Sequence, residues 1–128
     1  MGNMSDELSA RFMVFVVNIM KLEKDLWQTF SGRHIFGQLF RAGTSAAANY
    51  EEARAGESRA DFIHKMQIVL KELRESHFWI NLLLITKMIQ SEDDVLRNLF
   101  NESMELIKIS AKSVVTAKSK VRKTISQS

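Results

Sequence analysis

Asp61 and His64 stand three residues apart in a stretch of helical periodicity, so a carboxylate and an imidazole share one helix face at metal-ligand spacing. A di-metal site in a helix bundle needs Glu-x-x-His on each of two helices and a further Glu from each of the other two. Neither His34 nor His77 completes a second motif of that kind. One loose spacing arises by accident about nine times more often than by ligation. No metal ligand and no cofactor is therefore assigned.

Glu72 and Glu75 form the next candidate, a carboxylate couple of the kind acid–base chemistry uses. Nothing accompanies them. The chain has no cysteine, which removes thiolate nucleophiles, disulfides and sulfur-ligated zinc and fits a reducing, cytoplasmic setting. Gly43 and Gly56 are isolated, so no glycine-rich loop cradles a phosphate. Lys71 precedes Glu75 by four residues, a helix-surface charge pair contributing about 0.2–0.5 kcal/mol. A register-fixing role at a subunit contact, against Arg41 or Arg54 of a neighbour, suits the two glutamates better than catalysis. No catalytic residue and no enzymatic activity is expected.

The third candidate chemistry is phosphate binding. Formal net charge is +3, but it is unevenly placed. Lys108, Lys112, Lys118, Lys120, Arg122 and Lys123 crowd the segment from Leu106 onward, which has no acid; the rest of the chain carries 12 basic against 15 acidic residues. Affinity for a nucleic-acid backbone requires several cations on one surface, because each phosphate contact releases condensed counterions. On a helical wheel the tail cations point in different directions, the pattern of a solvated, disordered segment about two times in three. Candidate phosphate contacts are Lys118, Lys120, Arg122 and Lys123, joined by Arg41, Arg54, Lys65 and Arg74 if these gather on one face. Aromatic residues for base stacking are not interleaved with them.

The elements that position these residues are four helices. The 128 residues include no proline and five glycines, so the chain has few places to bend. A first helix starts at Ser5 and carries Leu8, Phe12, Phe15, Ile19, Leu22 and Leu26 at bundle spacing. Thr29–Arg33, with Ser31-Gly32, reads as a turn. The second helix runs from about His34 to Ala55 with Ile35, Leu39, Gly43, Ala46, Tyr50 and Ala53 inward, and stops at Gly56 because glycine enters the left-handed region freely. Ser58 caps the third, which carries Phe62, Met66, Val69, Leu73, His77, Ile80 and Leu84 to about Met88. Ser91 caps the fourth, whose stripe includes Phe100, Ile107, Ala111 and Val121 and which weakens and frays from about Ala117. The expected fold is all-α, an antiparallel up-down four-helix bundle forming one domain over residues 1–128.

Two helices carry more apolar surface than one core needs. Met13 and Val17 on the first, and Ile68 and Trp79 on the third, lie off the core stripe and imply a contact with another chain. Phe12–Val17 and Ile80–Ile85 are the longest apolar runs, far short of the roughly 20 residues that span a bilayer. The opening MGNMSDEL lacks the basic region and cleavage signal of a secretory peptide. The first helix also lacks the basic polar face of a membrane-surface helix. No membrane partner is expected.

About forty residues in the middle of the chain carry a specific order of polar positions. Arg41 precedes Gly43-Thr44-Ser45-Ala46, then come Asn49, Tyr50, Glu52 and Ala53. Glu57-Ser58 leads to Asp61-Phe62, and Lys71, Glu72, Glu75, Phe78 and Trp79 close the pattern. In this order the chain resembles the bacterial four-helix-bundle family named for intervening sequences of large-subunit ribosomal RNA. The resemblance implies assembly into a five-membered ring, a homopentamer, which would cover the surplus apolar faces and multiply a modest basic patch. It also implies a structural hydrogen-bond network at Asn49 and Glu52. A relative in the wider group works beside a retroelement reverse transcriptase and binds nucleic acid, with a more strongly basic body than this chain has. The expected function is a non-catalytic oligomeric scaffold that binds RNA, DNA or a nucleic-acid-processing protein. The competing expectation is a protein–protein interaction module with no affinity for nucleic acid.

Overall fold

Asn3, two residues earlier than the expected Ser5, caps the first helix. The Asp6 N–H donates to the Asn3 side chain at 2.9 Å and the Asn3 N–H donates back to the Asp6 carboxylate at 3.5 Å, closing a capping box. The computed structural model describes residues 3–89 and 94–127, and there the chain forms five helices. They are α1 (Met4–Met20), α2 (Glu23–Leu26), α3 (Phe30–Arg54), α4 (Arg59–Thr86) and α5 (Asp94–Gln127). The expected first helix is thus split. The Leu22 N–H bonds the Ile19 carbonyl at 3.0 Å, a tight turn that interrupts the ladder before α2.

The expected turn at Thr29–Arg33 is instead the start of α3. Thr29 is the cap, its hydroxyl accepting from the Gly32 N–H at 3.0 Å. Gly32 is glycine for a tertiary reason: a Cβ there would sit 2.1 Å from the Leu26 carbonyl oxygen of α2. The α3 terminus departs from expectation too. Ala55 is the cap, no described glycine has positive φ, and the left-handed position is Lys87, φ 53°, at the end of α4. Ser58 caps α4 as expected, accepting from the Asp61 N–H at 3.1 Å. The expected cap at Ser91 lies outside the described residues. The last helix runs on to Gln127, past Ala117.

α1 packs against α3 and α5, and α4 against the same two, so the helices go round the bundle in the order α1, α3, α4, α5. α2 extends the α1 corner against α3. Contacts fix the senses. Phe12 stacks on Tyr50 with ring centroids 4.9 Å apart, and the Gly43 position faces Ile19, so α1 and α3 are antiparallel. Arg41 reaches Glu72 and Lys65 reaches Glu52, so α3 and α4 are antiparallel. His77 bonds Ser103, while a groove nearer the other end joins His64 to Arg122, so α4 and α5 are antiparallel. This is the up-down four-helix bundle. On the first three predicted helices the core follows the expected stripes, with Phe12, Phe15, Ile19, Leu39, Met66, Leu73 and Ile80 at most 1% exposed. On α5 the expected Phe100, Ile107, Ala111 and Val121 are only half-buried, and Leu99 and Leu106, one position before Phe100 and Ile107, fill the core instead. At Gly43 a Cβ would come 2.5 Å from Ile19 Cδ1, so the small residue lets α1 approach α3 closely.

The four seams are not alike. The α1–α5 seam is closed by Arg11 on Glu102, Nε to Oε2 at 2.9 Å and Nη2 to Oε1 at 2.6 Å, a two-pronged charge-assisted pair. Beside it lies a shallow groove of about 290 Å³ where Val14, Phe15 and Leu99 are bordered by Asn18, Asn98, Asn101 and Glu105.

Candidate functional site

Arg41, Glu72, Glu75 and Trp79 of the matched pattern converge on the α3–α4 seam. Arg41 donates to Glu72 at 3.0 Å and to Glu75, and the Trp79 indole N–H donates to Glu75 at 3.2 Å. His34 stands edge-on to the Trp79 ring, centroids 5.9 Å apart. Glu72 is buried, and a buried carboxylate is tolerated only when paired. Burial pushes the Glu75 carboxyl up, and the bonds from Arg41 and Trp79 more than offset this, holding it below its ordinary 4.5. Glu72 and Glu75 are therefore taken up by Arg41 of their own chain, where pairing with a neighbour was expected. The reason is register: antiparallel packing of α3 on α4 places Arg41 opposite the i,i+3 carboxylates.

Arg54 and Lys65 are likewise engaged. Arg54 binds Asp6 and lies 3.7 Å from Glu51, tying the end of α3 to the start of α1. The Arg54 bond holds the Asp6 carboxyl below its ordinary value. Lys65 meets Glu52 at 3.5 Å. Asn49 does not reach across helices; its amide donates to the Ser45 carbonyl at 2.9 Å within α3. Of the expected polar network, Glu52 bridges two helices and Asn49 stays on its own. Ser9 on Glu51 adds a link that the sequence pattern did not signal.

The α5 cations are different. Among the described residues, Lys112, Lys118, Lys120, Arg122 and Lys123 are exposed and form no ion pair, and Arg74 on α4 forms none either. The helix divides them. Lys112 and Lys120 line a cleft of about 690 Å³ against the α3–α4 turn and the start of α1. Lys118 and Arg122 flank a groove of about 470 Å³ on the α4 side, floored by Ile63 and Val121 and bordered by His64. Asp61 and His64 gather no third ligand: no group of three His, Cys, Asp or Glu suited to a metal occurs among the described residues.

The expected interface residues separate by depth. Met13 is 60% exposed and Val17 is 45% exposed, with Val14 and Met20 beside them on α1. Ile68 and Trp79 are half-buried, Trp79 packing on the core. The exposed apolar side chains of α4 are instead Phe78 and Ile85. The sequence placed Phe78 only as one of an aromatic pair, and Ile85 inside an apolar run. No helix of the described residues is long and apolar enough to cross a membrane.

Four antiparallel helices, cross-braced by Arg–carboxylate pairs and cored by heptad-like stripes, define a four-helix-bundle protein. The chain belongs to the 23S rRNA-intervening sequence protein family, whose model matches residues 7–112. It is also similar to the solved structure of a protein of unknown function from the S23 ribosomal protein family, from Bacteroides thetaiotaomicron. That likeness has 34% identity and a TM-score of 0.72, and covers 84% of this chain and 97% of that one. No curated protein matches. Neither description names a catalytic activity.

Proposed function

We propose that the chain is a non-catalytic scaffold that self-associates into a ring, a homopentamer on the family resemblance, and binds nucleic acid along the distal half of α5. One observation carries the assembly. Met13, Val14, Val17 and Met20 on α1 and Phe78 and Ile85 on α4 are exposed apolar sets on two helices at diagonal corners of the bundle. Unlike patches facing away from each other suit a head-to-tail contact, which closes into a ring or runs on as a filament. An isologous dimer would cover one of them and leave the other in water.

Light scattering tests this. The unmodified protein is expected to be a closed oligomer, and Val17→Glu and Phe78→Glu each to be a folded monomer. Mixed together, the two variants retain one intact copy of each patch between them and are expected to form a heterodimer. A monomeric unmodified protein would overturn the proposal. Trp79 is a poorer probe, because it also braces Glu75.

Binding rests on the unpaired α5 cations, repeated in each copy of a ring, where effective concentration strengthens weak contacts. Arg41, Arg54 and Lys65 no longer belong to that set, since carboxylates already hold them. Fluorescence anisotropy with labelled single- and double-stranded RNA is expected to give an affinity that falls steeply with salt. No binding at low salt would remove the nucleic-acid half of the proposal and leave a protein-interaction ring.

A further inference from the structure

The cleft beside Lys112 and Lys120 has a graded lining. Its outer part is bordered by Arg59, Lys112 and Lys120, with the hydroxyls of Ser113 and Thr116 between. A contiguous inner part of about 440 Å³ shares Phe62, Ile109 and Ser113 with it and runs in to Leu8, Tyr50 and Ala53, with Ser5 and the Asp6-paired Arg54 at its edge. Leu8, Tyr50 and Ala53 are core residues, at most 6% exposed. The inner end therefore reaches apolar core side chains, its one cation already held by Asp6, while the outer end carries three cations that no carboxylate among the described residues answers. Glu57, the acid on this lining, leaves the rim net positive. Met4, 77% exposed and a wall of both parts, is a flexible thioether able to fold over an occupant.

A ligand site of this size is ordinarily lined by apolar side chains with a few polar groups that fix orientation. The geometry points to a binding site for a small amphiphilic organic anion. Its apolar body lies along Phe62, Ile109 and Leu8, and its carboxylate, sulfonate or phosphate meets Lys112, Lys120 and Arg59. A neutral amphiphile would leave those cations unanswered. A fully polar anion would leave the inner end unfilled. The site is separate from the α4-side groove of Lys118 and Arg122, and it does not depend on nucleic-acid binding or on ring formation.

Methyl-resolved NMR of the full chain locates the ligand directly. Sodium dodecanoate, kept below its micelle-forming concentration, is expected to shift the Met4 and Ile109 methyl signals and leave Met13 and Met20 in place. Dodecanol is expected to bind more weakly, by about threefold for each partly exposed charge contact it lacks. Lys112→Ala with Lys120→Ala, both exposed and neutral for folding, is expected to weaken dodecanoate about tenfold and leave dodecanol unchanged. Naphthalene-2-sulfonate in a parallel titration separates an aryl from an acyl body by which of the two binds more tightly. Equal affinity for dodecanoate and dodecanol, shifts confined to Met13 and Met20, or no shift with either anion would overturn the assignment.

Discussion

The body of the bundle and the distal half of α5 use positive charge in opposite ways. In the body, Arg11, Arg41, Arg54 and Lys65 each reach a carboxylate on a different helix, and three of the four seams carry such a brace. On distal α5, Lys112, Lys118, Lys120, Arg122 and Lys123 meet no carboxylate among the described residues. A paired cation fixes which turn of one helix lies against which turn of the next. An unpaired one remains available to something outside the chain. A single net charge of +3 conceals this division.

The division can be broken from the tail side with the largest effect. Replacing Lys118, Lys120, Arg122 and Lys123 together by Met is expected to lower the log–log salt slope of RNA binding by about 3 and weaken binding about a hundredfold. Thermal stability should stay within about 0.5 kcal/mol, since exposed unpaired charges contribute little. A matching loss of stability would show that these lysines and Arg122 brace the fold after all.

From the body side, Arg41→Met is expected to cost about 2 kcal/mol in denaturant unfolding, because it strands the buried Glu72 and half-buried Glu75. Its effect on RNA affinity should be small. Acid sharpens the same contrast. Glu75 has a depressed folded-state pKa, so its contribution to stability is present above its ordinary 4.5 and is lost as pH falls through the lower folded value. The stability gap between the unmodified protein and Arg41→Met is therefore expected to be full at about pH 6 and to narrow below about pH 4.5. A gap constant with pH would mean that the guanidinium acts through packing alone. The smallest effect belongs to Lys65→Met, within about 0.5 kcal/mol, because its partner Glu52 is well exposed and the contact is long.

The same contrast governs what could be read from the sequence. The first core stripe was legible residue by residue: Leu8, Phe12, Phe15, Ile19, Leu22 and Leu26 are all buried, because helical periodicity and burial are one signal. Glycines were not. Gly32 looks like a turn residue, yet it lies inside α3 and makes room for a carbonyl of α2, a contact that no local pattern encodes. Gly56 looks like a left-handed stop, and the left-handed residue is Lys87. The pairing of Arg41 with Glu72 and Glu75 joins residues 31 and 34 positions apart, so composition could suggest the partners without saying that they share a chain. The cleft drew on Lys112 and Arg59, which sit in different helices and share no motif.

The Arg11–Glu102 fork joins residues 91 positions apart, the widest sequence span of any side-chain bond described above. Closing so long a loop is entropically costly, and α1 and α5 pack against each other far less extensively than α3 with α4 or α4 with α5. The first and last helices should therefore be the pair that parts most readily, like a book opening away from its spine at α3 and α4. Hydrogen exchange is expected to register this as early loss of protection along the outward turns of α1, while the amides around Leu39 and Leu73 hold until the whole chain unfolds.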